Sequence, residues 1–217
     1  MKNGIDVSEW QYNIAWDKVK TDFAIIRLGF ATTKDKCFEA NLKGCLENEI
    51  PFGVFIYSYA NSWEKLYREI EYTLSELAKM DKKPFCVFID MEDKSTVEVG
   101  KSILTDYAIE FCEQIKEAGY KAGVYANENW FTNHLDVAHI ADAGNVIWCA
   151  KYSSTPPKIA AKYDIWQYTS RGEVEGIDGN VDLDYMYTDL VTDVEKINYR
   201  VKYEALKSKI QRVLDEN

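Results

Sequence analysis

Short hydrophobic runs alternate along this chain with longer stretches in which apolar residues recur at helical spacing. Eight runs of five to nine residues have the apolar, β-branched and aromatic composition of strands. They lie at residues 4–8, 23–30, 52–60, 85–92, 121–127, 146–152, 164–169 and 180–186. Strands that alternate with helices are typical of parallel sheets, so the pattern predicts an α/β fold, either a parallel sheet or a barrel.

Two helices stand out between the predicted strands. Ser62 is suited to cap the first, whose apolar positions are Leu66, Ile70, Leu74 and Leu77. The second ends near Gly119, and its predicted apolar side consists of Ile103, Tyr107, Ile109, Phe111 and Ile115. Residues 8–22 and 127–145 are less regular, so the pattern favours an imperfect barrel over eight equal units.

The length of 217 residues suits one α/β barrel domain followed by a tail. We assign residues 1–190 to the barrel and residues 191–217 to a C-terminal extension. In the extension, apolar residues recur near helical spacing among many charges, which predicts an amphipathic helix. Two interpretations stay open: the helix packs against its own barrel, or it mediates self-association or binds a partner.

Composition narrows the class of ligand. A formal net charge of −10 disfavours binding to nucleic acid or to an anionic membrane surface, and the aromatic content of 14% could line a groove for a sugar or a peptide. The five cysteines are widely spread and form no CxxC pair, which predicts buried free thiols and synthesis in a reducing cytosol. No apolar run has the length of a signal peptide or a membrane span, so export is expected to need outside help.

Acidic residues concentrate on three of the predicted strands. Asp6 lies in the first, Asp90 and Glu92 end the run "FCVFIDME", and Asp182 lies with Asp184 in the last. Side chains alternate along a strand, so Asp90 and Glu92 are expected to share a side, roughly 6.5 Å apart at about 3.3 Å per residue, while Met91 and Asp93 point the other way. The carboxyl ends of barrel strands meet at one mouth, and crowding of like charges there would keep one carboxyl protonated, as a general acid requires.

Other chemistries find little support. Residues 178–184 carry oxygen ligands at the spacing of a calcium loop, but Leu183 stands where that loop needs glycine. His134 and His139 form no HExxH arrangement, and the chain has no GxSxG, GxGxxG or P-loop motif. We therefore predict neither a metal nor a cofactor. Arg27 lies inside the apolar run "AIIRLG" and is predicted to be a buried counter-charge for the acidic cluster, with an exposed position at a strand edge as the alternative.

The ordered segments "GIDVSEWQ", "FAIIRLGF", "IPFGVFIYSYA", "FIDMED" and "WQYTSRGEVEGIDGNVDLD" resemble glycoside hydrolase family 25 lysozymes over roughly residues 3–188. The resemblance implies an irregular, flattened TIM-like barrel with fewer than eight helices. It also implies cleavage of the β-1,4 bond between N-acetylmuramic acid and N-acetylglucosamine in bacterial peptidoglycan, after release of the cytoplasmic chain to the cell wall by holin-dependent lysis or another export route.

The same resemblance implies roles for individual residues. Glu92 becomes the acid/base, Asp90 its partner, and Asp6 and Asp182 supporting carboxylates. The predicted sugar contacts are Tyr57, Tyr59, Tyr125, Trp148 and Gln167. A D-x-E pair with this spacing resembles enzymes in which the acetamido group of the sugar attacks, and the alternative is direct attack or water activation by Asp90 or Asp182. A different class of function also stays open, a catalytically silent glycan-binding or phage structural protein on the same barrel.

Overall fold

The computed structural model describes residues 1–191, which form a barrel surrounded by helices. The strands are β1 (Lys2–Val7), β2 (Phe23–Phe30), β3 (Thr33–Lys34), β4 (Phe52–Tyr57), β5 (Val87–Asp90), β6 (Ala122–Asn127), β7 (Val146–Ala150), β8 (Ile165–Gly172) and β9 (Val181–Met186). The α-helices are α1 (Phe38–Glu47), α2 (Trp63–Leu77), α3 (Lys101–Glu117), α4 (Glu128–Asn133) and α5 (Val137–Asp142). Two 3₁₀ helices span Glu9–Gln11 and Lys94–Val99.

Eight strands close the barrel in the order β1, β2, β4, β5, β6, β7, β8 and β9, and β9 pairs back onto β1. The short strand β3 pairs antiparallel with β2, outside the closed ring. Seven of the barrel strands run parallel, whereas β9 is antiparallel to both neighbours. An irregular TIM-like barrel with fewer than eight helices in residues 1–191 is therefore confirmed, and an all-parallel arrangement is wrong for the last strand.

The predicted helices are present, with one change of face. Ser62 caps α2 by accepting a hydrogen bond from the Lys65 amide, and the four predicted apolar residues of this helix are buried. In α3 the prediction is wrong for Ile103, which is 43% exposed, whereas Leu104 and Ala108 are buried. The reason is angular: Leu104 and Ala108 are one helical turn apart on the same side as Phe111, while Ile103 lies off that side.

Strand alternation divides the core into two layers. Ala24, Ile26 and Leu28 of β2 face outward into a layer that packs against the helices. Phe23 and Ile25 face the barrel interior. The interior is filled at its lower end by the rings of Phe23, Phe85, Phe88 and Trp148. Polar residues such as Asp6, Asp90 and Gln167 enter the interior at the opposite end, where the parallel strands terminate.

The two irregular segments and the thiols agree with their predictions. Residues 8–22 contain only the short 3₁₀ helix, and residues 127–145 hold the short helices α4 and α5. All five cysteines are free, and four of them are buried, whereas Cys37 is partly exposed. The proposed C-terminal helix lies outside the described residues. Among residues 1–191, the structure contains no helix with the length and apolarity needed to cross a bilayer.

Close packing fixes α1 against the segment that follows β1. Gly44 of α1 is buried beneath the ring of Trp16, and a Cβ added at Gly44 would lie 2.0 Å from Trp16 Cδ1. A side chain of any size at this position therefore collides with the indole unless the helix or the ring moves. Because Trp16 is itself buried, neither has free space to move into.

We predict that Gly44→Ala destabilises the protein. Alanine normally favours a helix by about 1 kcal/mol over glycine. Overpacking against Trp16 opposes this by about 1–3 kcal/mol, so the urea midpoint should fall. The control is Lys43→Ala at the neighbouring exposed position, which should change the free energy of unfolding by less than about 0.5 kcal/mol. A Gly44→Ala protein as stable as the wild type would contradict this account of the contact.

Candidate active site

A cavity of about 220 Å³ opens at the carboxyl ends of the parallel strands. Its acidic lining residues are Asp6, Asp90, Glu92 and Asp182. Its aromatic and polar lining includes Trp10, Tyr57, Tyr125, Trp148, Tyr152 and Gln167. The structure thus brings together the four carboxylates selected from the sequence, and it places them at the mouth of the barrel.

Asp90 and Glu92 both line the cavity, but they do not lie on one strand as predicted. Strand β5 ends at Asp90, whose inward direction continues that of Phe88, whereas Glu92 lies in the loop before the next 3₁₀ helix. Strand alternation therefore does not extend to Asp93. That carboxylate caps the 3₁₀ helix through the Ser95 amide and also accepts a hydrogen bond of 3.1 Å from Tyr57. Asp93 does not line the cavity, in agreement with the prediction, although it bonds Tyr57, a residue of the cavity wall.

The antiparallel direction of β9 places its acids at different depths. Asp182 lies near the start of β9, at the mouth, directly opposite Asp6 on β1. Asp184 lies two residues further down and is completely buried. In a parallel strand Asp182 would lie deeper than Asp184. The antiparallel direction of β9 therefore explains why Asp182 lines the cavity while Asp184 lies beneath it.

Burial keeps protons on the innermost carboxyls. The pKa of Asp90 is raised well above its ordinary value by burial and then by the neighbouring charge of Glu92, and Arg27 offsets part of this. The pKa of Asp6 is likewise raised well above its usual range by burial, and next by Asp182 and Asp184. Both are nearly inaccessible to solvent. Loss of solvation favours the neutral form of an acid, and a like charge nearby adds to the effect.

Asp6 and Asp184 influence each other beneath the cavity. Trp148 Nε1 donates to Asp184 Oδ1 at 2.8 Å, whereas Asp184 Oδ2 has no hydrogen-bond partner within residues 1–191. The charge of Asp184 contributes to the raised pKa of Asp6, after the larger effects of burial and of Asp182. Burial raises the pKa of Asp184 to about 7, while the hydrogen bond from Trp148 lowers it.

Gln167 joins Asp6 to the tyrosines of the cavity wall. Its Nε2 donates to Asp6 Oδ2 at 2.7 Å, and its Oε1 accepts from the hydroxyls of Tyr125 and Tyr152 at 2.9 and 3.1 Å. This network fixes both the amide orientation and the two rings. It uses the polar atoms of Gln167, so that side chain serves as a buried brace rather than as an exposed contact for sugar.

Glu92 is the most accessible member of the D-x-E pair. Burial raises its pKa, Asp93 adds to this effect, and Asn127 opposes it by donating from Nδ2 to Glu92 Oε2 at 3.5 Å. Asp182 is also partly open, and burial followed by the charge of Glu92 raises its pKa to about 6. Glu92 therefore keeps its proton to a higher pH than an exposed glutamate does and is still accessible to a ligand, as a general acid requires.

The predicted sugar contacts divide into floor and rim. Tyr125, Trp148 and Gln167 line the cavity but are buried, so they form its floor. Tyr57 also lines the cavity, and Tyr59 packs on it with ring centroids 5.0 Å apart. Tyr59 lies past the end of β4, and its ring is 41% exposed beside the mouth rather than in its wall.

Two exposed aromatic residues of the rim were missed. Trp10 is 69% exposed and Tyr152 is 59% exposed, and both line the cavity. Exposed rings beside a polar cleft are suited to stack on the faces of sugar rings. The available sequence clue was the position of each residue just after a predicted strand or at its end, where loops meet the mouth.

Arg27 is a counter-charge, but for a different pair of acids. Its Nε donates to Asp35 Oδ2 at 2.7 Å, and an Nη atom donates to Glu9 Oε1 at 3.1 Å. Asp35 also accepts from the amides of Glu9 and Cys37, so it ties the loop after β1 to the start of α1. Arg27 lines the cavity, yet it reaches the predicted cluster only through its electrostatic effect on Asp90.

A further buried acid supports the loop after β4. Glu69 of α2 accepts from Ser58 Oγ at 2.6 Å and from the Tyr59 amide at 2.9 Å, which fixes the backbone that carries Tyr59. Burial raises the pKa of Glu69 to about 7, while these bonds and Lys65 lower it. The sequence pattern gave no clue, because Glu69 reads as one of many polar positions on an amphipathic helix.

An acidic cavity with an aromatic rim at the carboxyl end of an α/β barrel defines the class of protein, a glycoside hydrolase. The comparison with protein families specifies which one. The model described as glycosyl hydrolases family 25 matches residues 5–177, so the chain belongs to that family and the resemblance is confirmed.

Individual relatives agree with this assignment. Lysozyme M1 of Streptomyces globisporus is 25% identical over 194 residues, which cover 82% of this chain and 65% of the relative. The autolytic lysozyme of Clostridium acetobutylicum is 27% identical over 187 residues, which cover 83% of this chain and 54% of the relative. This chain therefore spans less than two thirds of the length of either protein.

A solved structure of similar size matches the barrel. The catalytic domain of endolysin ply40, from bacteriophage P40 of Listeria monocytogenes, superimposes with a TM-score of 0.78 at 25% identity. The match covers 88% of this chain and 95% of that domain. The match therefore extends over nearly the whole of that domain.

We predict that the folded protein is more stable at pH 5.5 than at pH 7.5. The buried carboxyls keep protons in the folded state that they release on unfolding, where the ordinary pKa values of 3.8 and 4.5 apply. Unfolding thus releases protons between about pH 4 and 7, so the free energy of unfolding falls as the pH rises, by about 1.4 kcal/mol per pH unit for each retained proton. Urea titrations across this range measure the slope.

The variant Glu69→Gln tests one contribution to this slope. Its one side-chain oxygen can accept from the Tyr59 amide, and its amide nitrogen can donate to Ser58 Oγ, but the variant lacks the titrating proton, so the pH dependence should become shallower. Glu71→Gln, at a partly exposed position on the same helix, is the control and should leave the slope unchanged. Stability that rises from pH 5.5 to pH 7.5 in the wild type would contradict the raised pKa values.

Proposed function

We propose that this protein is a peptidoglycan hydrolase, a muramidase that cleaves the β-1,4 bond between N-acetylmuramic acid and N-acetylglucosamine. The observation that carries the proposal is the meeting of Asp6, Asp90, Glu92 and Asp182 in one cavity of a family 25 barrel. The names of the relatives, a lysozyme and an autolytic lysozyme, support this substrate. In this proposal the chain acts on the bacterial cell wall after release from the cytoplasm.

Glu92 is the general acid and base in this proposal. In its protonated form it donates to the glycosidic oxygen as positive charge develops at the anomeric carbon of muramic acid. Its raised pKa and its position at the accessible edge of the cavity support this role. After the N-acetylglucosamine end of the chain leaves, the resulting carboxylate accepts a proton from the attacking water.

Asp90 orients the nucleophile. We assign the attack to the acetamido oxygen of muramic acid, which forms a bond to the anomeric carbon and gives a cyclic oxazolinium ion. Asp90 accepts the acetamido N–H, and water then opens the ring with retained configuration. Support comes from Asp90 Oδ1, which has no hydrogen-bond partner in residues 1–191. The alternative is attack by Asp90 or Asp182 themselves, or activation of water with inversion.

The rim and the floor of the cavity have different roles in binding. The exposed rings of Trp10 and Tyr152 are placed to stack on sugars that flank the cleaved bond. The buried network of Gln167 and Tyr125 keeps Asp6 in place beneath Glu92 and Asp182. A ligand therefore meets a fixed polar floor, and such preorganisation reduces the free energy lost in ordering the site.

We predict that Glu92→Gln removes the release of soluble fragments from purified cell walls. Loss of a general acid should lower kcat by about 10²- to 10⁴-fold, because the amide cannot supply the proton. Mass spectrometry of wild-type digests should show muramic acid at the new reducing ends. Circular dichroism melting of the variant is the control and should resemble that of the wild type.

Three outcomes would contradict parts of the proposal. Fragment release that persists in Glu92→Gln would show that another residue supplies the proton. N-acetylglucosamine at the new reducing ends would identify a glucosaminidase instead. Absence of any cleavage by the wild-type protein would favour a glycan-binding or phage structural protein that keeps the barrel.

For Asp90→Asn we predict a decrease in kcat with little change in KM, because the contact with the acetamido group strengthens only as the oxazolinium ion forms. The first product observed by proton NMR should keep the β configuration. A thiazoline analogue of the oxazolinium ion should inhibit the wild type and bind more weakly to the variant. An α-configured first product would exclude participation of the acetamido group and favour water activated by a carboxylate.

A further inference from the structure

A second cavity lies beside the mouth, on the outer side of β8, and we call it the outer groove. Its volume is about 560 Å³. Its walls include Tyr152, Ser153, Ser154, Tyr168, Ser170 and Arg171. Tyr152 lines both the outer groove and the active-site cavity, so a ligand that fills the active site needs only to cross this ring to enter the groove.

The walls of the outer groove are fixed by contacts within the protein. The Ser153 amide donates to the Tyr168 carbonyl at 3.2 Å, which joins the loop after β7 to β8. The Arg171 amide donates to Thr169 Oγ1 at 3.1 Å. Tyr168 stacks on Tyr185 with ring centroids 4.2 Å apart and an interplanar angle of 10°. The groove is thus preformed rather than assembled by its ligand.

The groups that could bind a ligand are not used within the described part of the chain. The hydroxyls of Ser154 and Ser170 make no hydrogen bond with residues 1–191, and the guanidinium of Arg171 makes no ion pair with them. Arg27 in the active-site cavity differs, because Glu9 and Asp35 already hold its guanidinium. Arg171 therefore offers a cation beside a mouth whose lining includes four acids.

Hydroxyls, a tyrosine ring and a guanidinium that makes no ion pair with residues 1–191 suit a peptide that carries a carboxylate. A guanidinium binds a carboxylate through two parallel hydrogen bonds, and hydroxyls can bond the peptide amides. Uncleaved peptidoglycan carries such a peptide on the lactyl group of each muramic acid, next to the bond that is cut. A peptide-free sugar chain offers no such group beyond its lactyl carboxylates.

We infer that the outer groove binds the acidic peptide attached to muramic acid, with Arg171 pairing one of its carboxylates. The inference rests on the proposed function, because it assigns the groove to another part of the same substrate. The peptide would leave the active-site cavity over Tyr152 and lie between the loop after β7 and the end of β8. Substrates would then be selected by their peptide as well as by their sugars.

The experiment measures binding without turnover. Soluble muropeptide chains, with their peptides intact or removed by an amidase, are titrated into the Glu92→Gln protein with and without Arg171→Gln. We expect Arg171→Gln to weaken binding of the peptide-bearing chain about three- to tenfold, with a smaller effect at high salt. Binding of the peptide-free chain should change by less than about twofold, and Arg171→Lys should keep part of the affinity because it keeps the charge.

Lys82→Gln is the matched control. It removes the same charge from an exposed position between α2 and β5, at the opposite end of the barrel, and it should affect neither chain. Equal weakening of both chains by Arg171→Gln would overturn the inference and indicate that the groove binds sugar. No effect on either chain, equal effects of Lys82→Gln, or no binding of the peptide-bearing chain at all would also overturn it.

Wild-type turnover separates this inference from the proposed function. If wild type cleaves peptide-free and peptide-bearing chains equally well and Arg171→Gln matches it on both, the proposed function stands and the inference fails. If wild type cleaves neither chain but the Glu92→Gln protein binds the peptide-bearing chain through Arg171, the proposed hydrolase activity fails and peptide recognition stands.

Discussion

Several carboxyl groups are held together, away from water, at one end of a closed barrel, and the chemistry of the site follows from that confinement. Loss of solvation costs an ionised carboxylate several kcal/mol, about what a domain can lose before it unfolds. The cost is limited when a carboxyl keeps its proton, and burial raises the pKa of both Asp6 and Asp90 so that this form is favoured. Large apolar rings fill the interior of the barrel below these groups.

The buried carboxyls of Asp6 and Asp184 show how this cost is moderated. Trp148 donates to one oxygen of Asp184, and Gln167 donates to one oxygen of Asp6, so each carboxyl receives a hydrogen bond from an N–H group. Every member of this network comes from a different strand among β1, β7, β8 and β9. The network therefore also fixes the register at the point where the barrel closes, because a slip of one residue would turn a buried acid outward.

Sequence reasoning recovered the parts of this arrangement that depend on local pattern. Eight strands, the cap at Ser62 and the four acids of the cavity all follow from periodicity or from residues at strand ends. The direction of β9 could not be predicted, since alternation along a strand is the same in both directions. Asp184 consequently looked equivalent to Asp182 until the direction of the strand placed it deeper.

Contacts between residues that are far apart in the sequence could not be predicted either. Arg27 was expected to face the four acids of the cavity, but Asp35 is closer to it once β2 and the segment after β3 have folded together. Trp148 and Gln167 are residue types that often contact ligands. In the structure, however, their polar atoms form hydrogen bonds with Asp184, Asp6 and tyrosine hydroxyls. The sequence pattern did not distinguish Glu69 from other polar helix positions. Its role depends on the Ser58 hydroxyl and the Tyr59 amide, which only the tertiary structure brings close to it.

The raised pKa values also bear on how an acidic protein could bind the anionic substrate proposed above. The formal net charge of −10 counts every aspartate and glutamate as ionised. Burial raises the pKa of Asp6 and Asp90, the innermost acids of the cavity, and so favours their neutral forms. The same burial that favours a protonated acid therefore also lowers the negative charge that a ligand meets in the cavity. Exposed acids elsewhere on the surface lie outside this effect, and salt at physiological concentration screens them beyond about 8 Å.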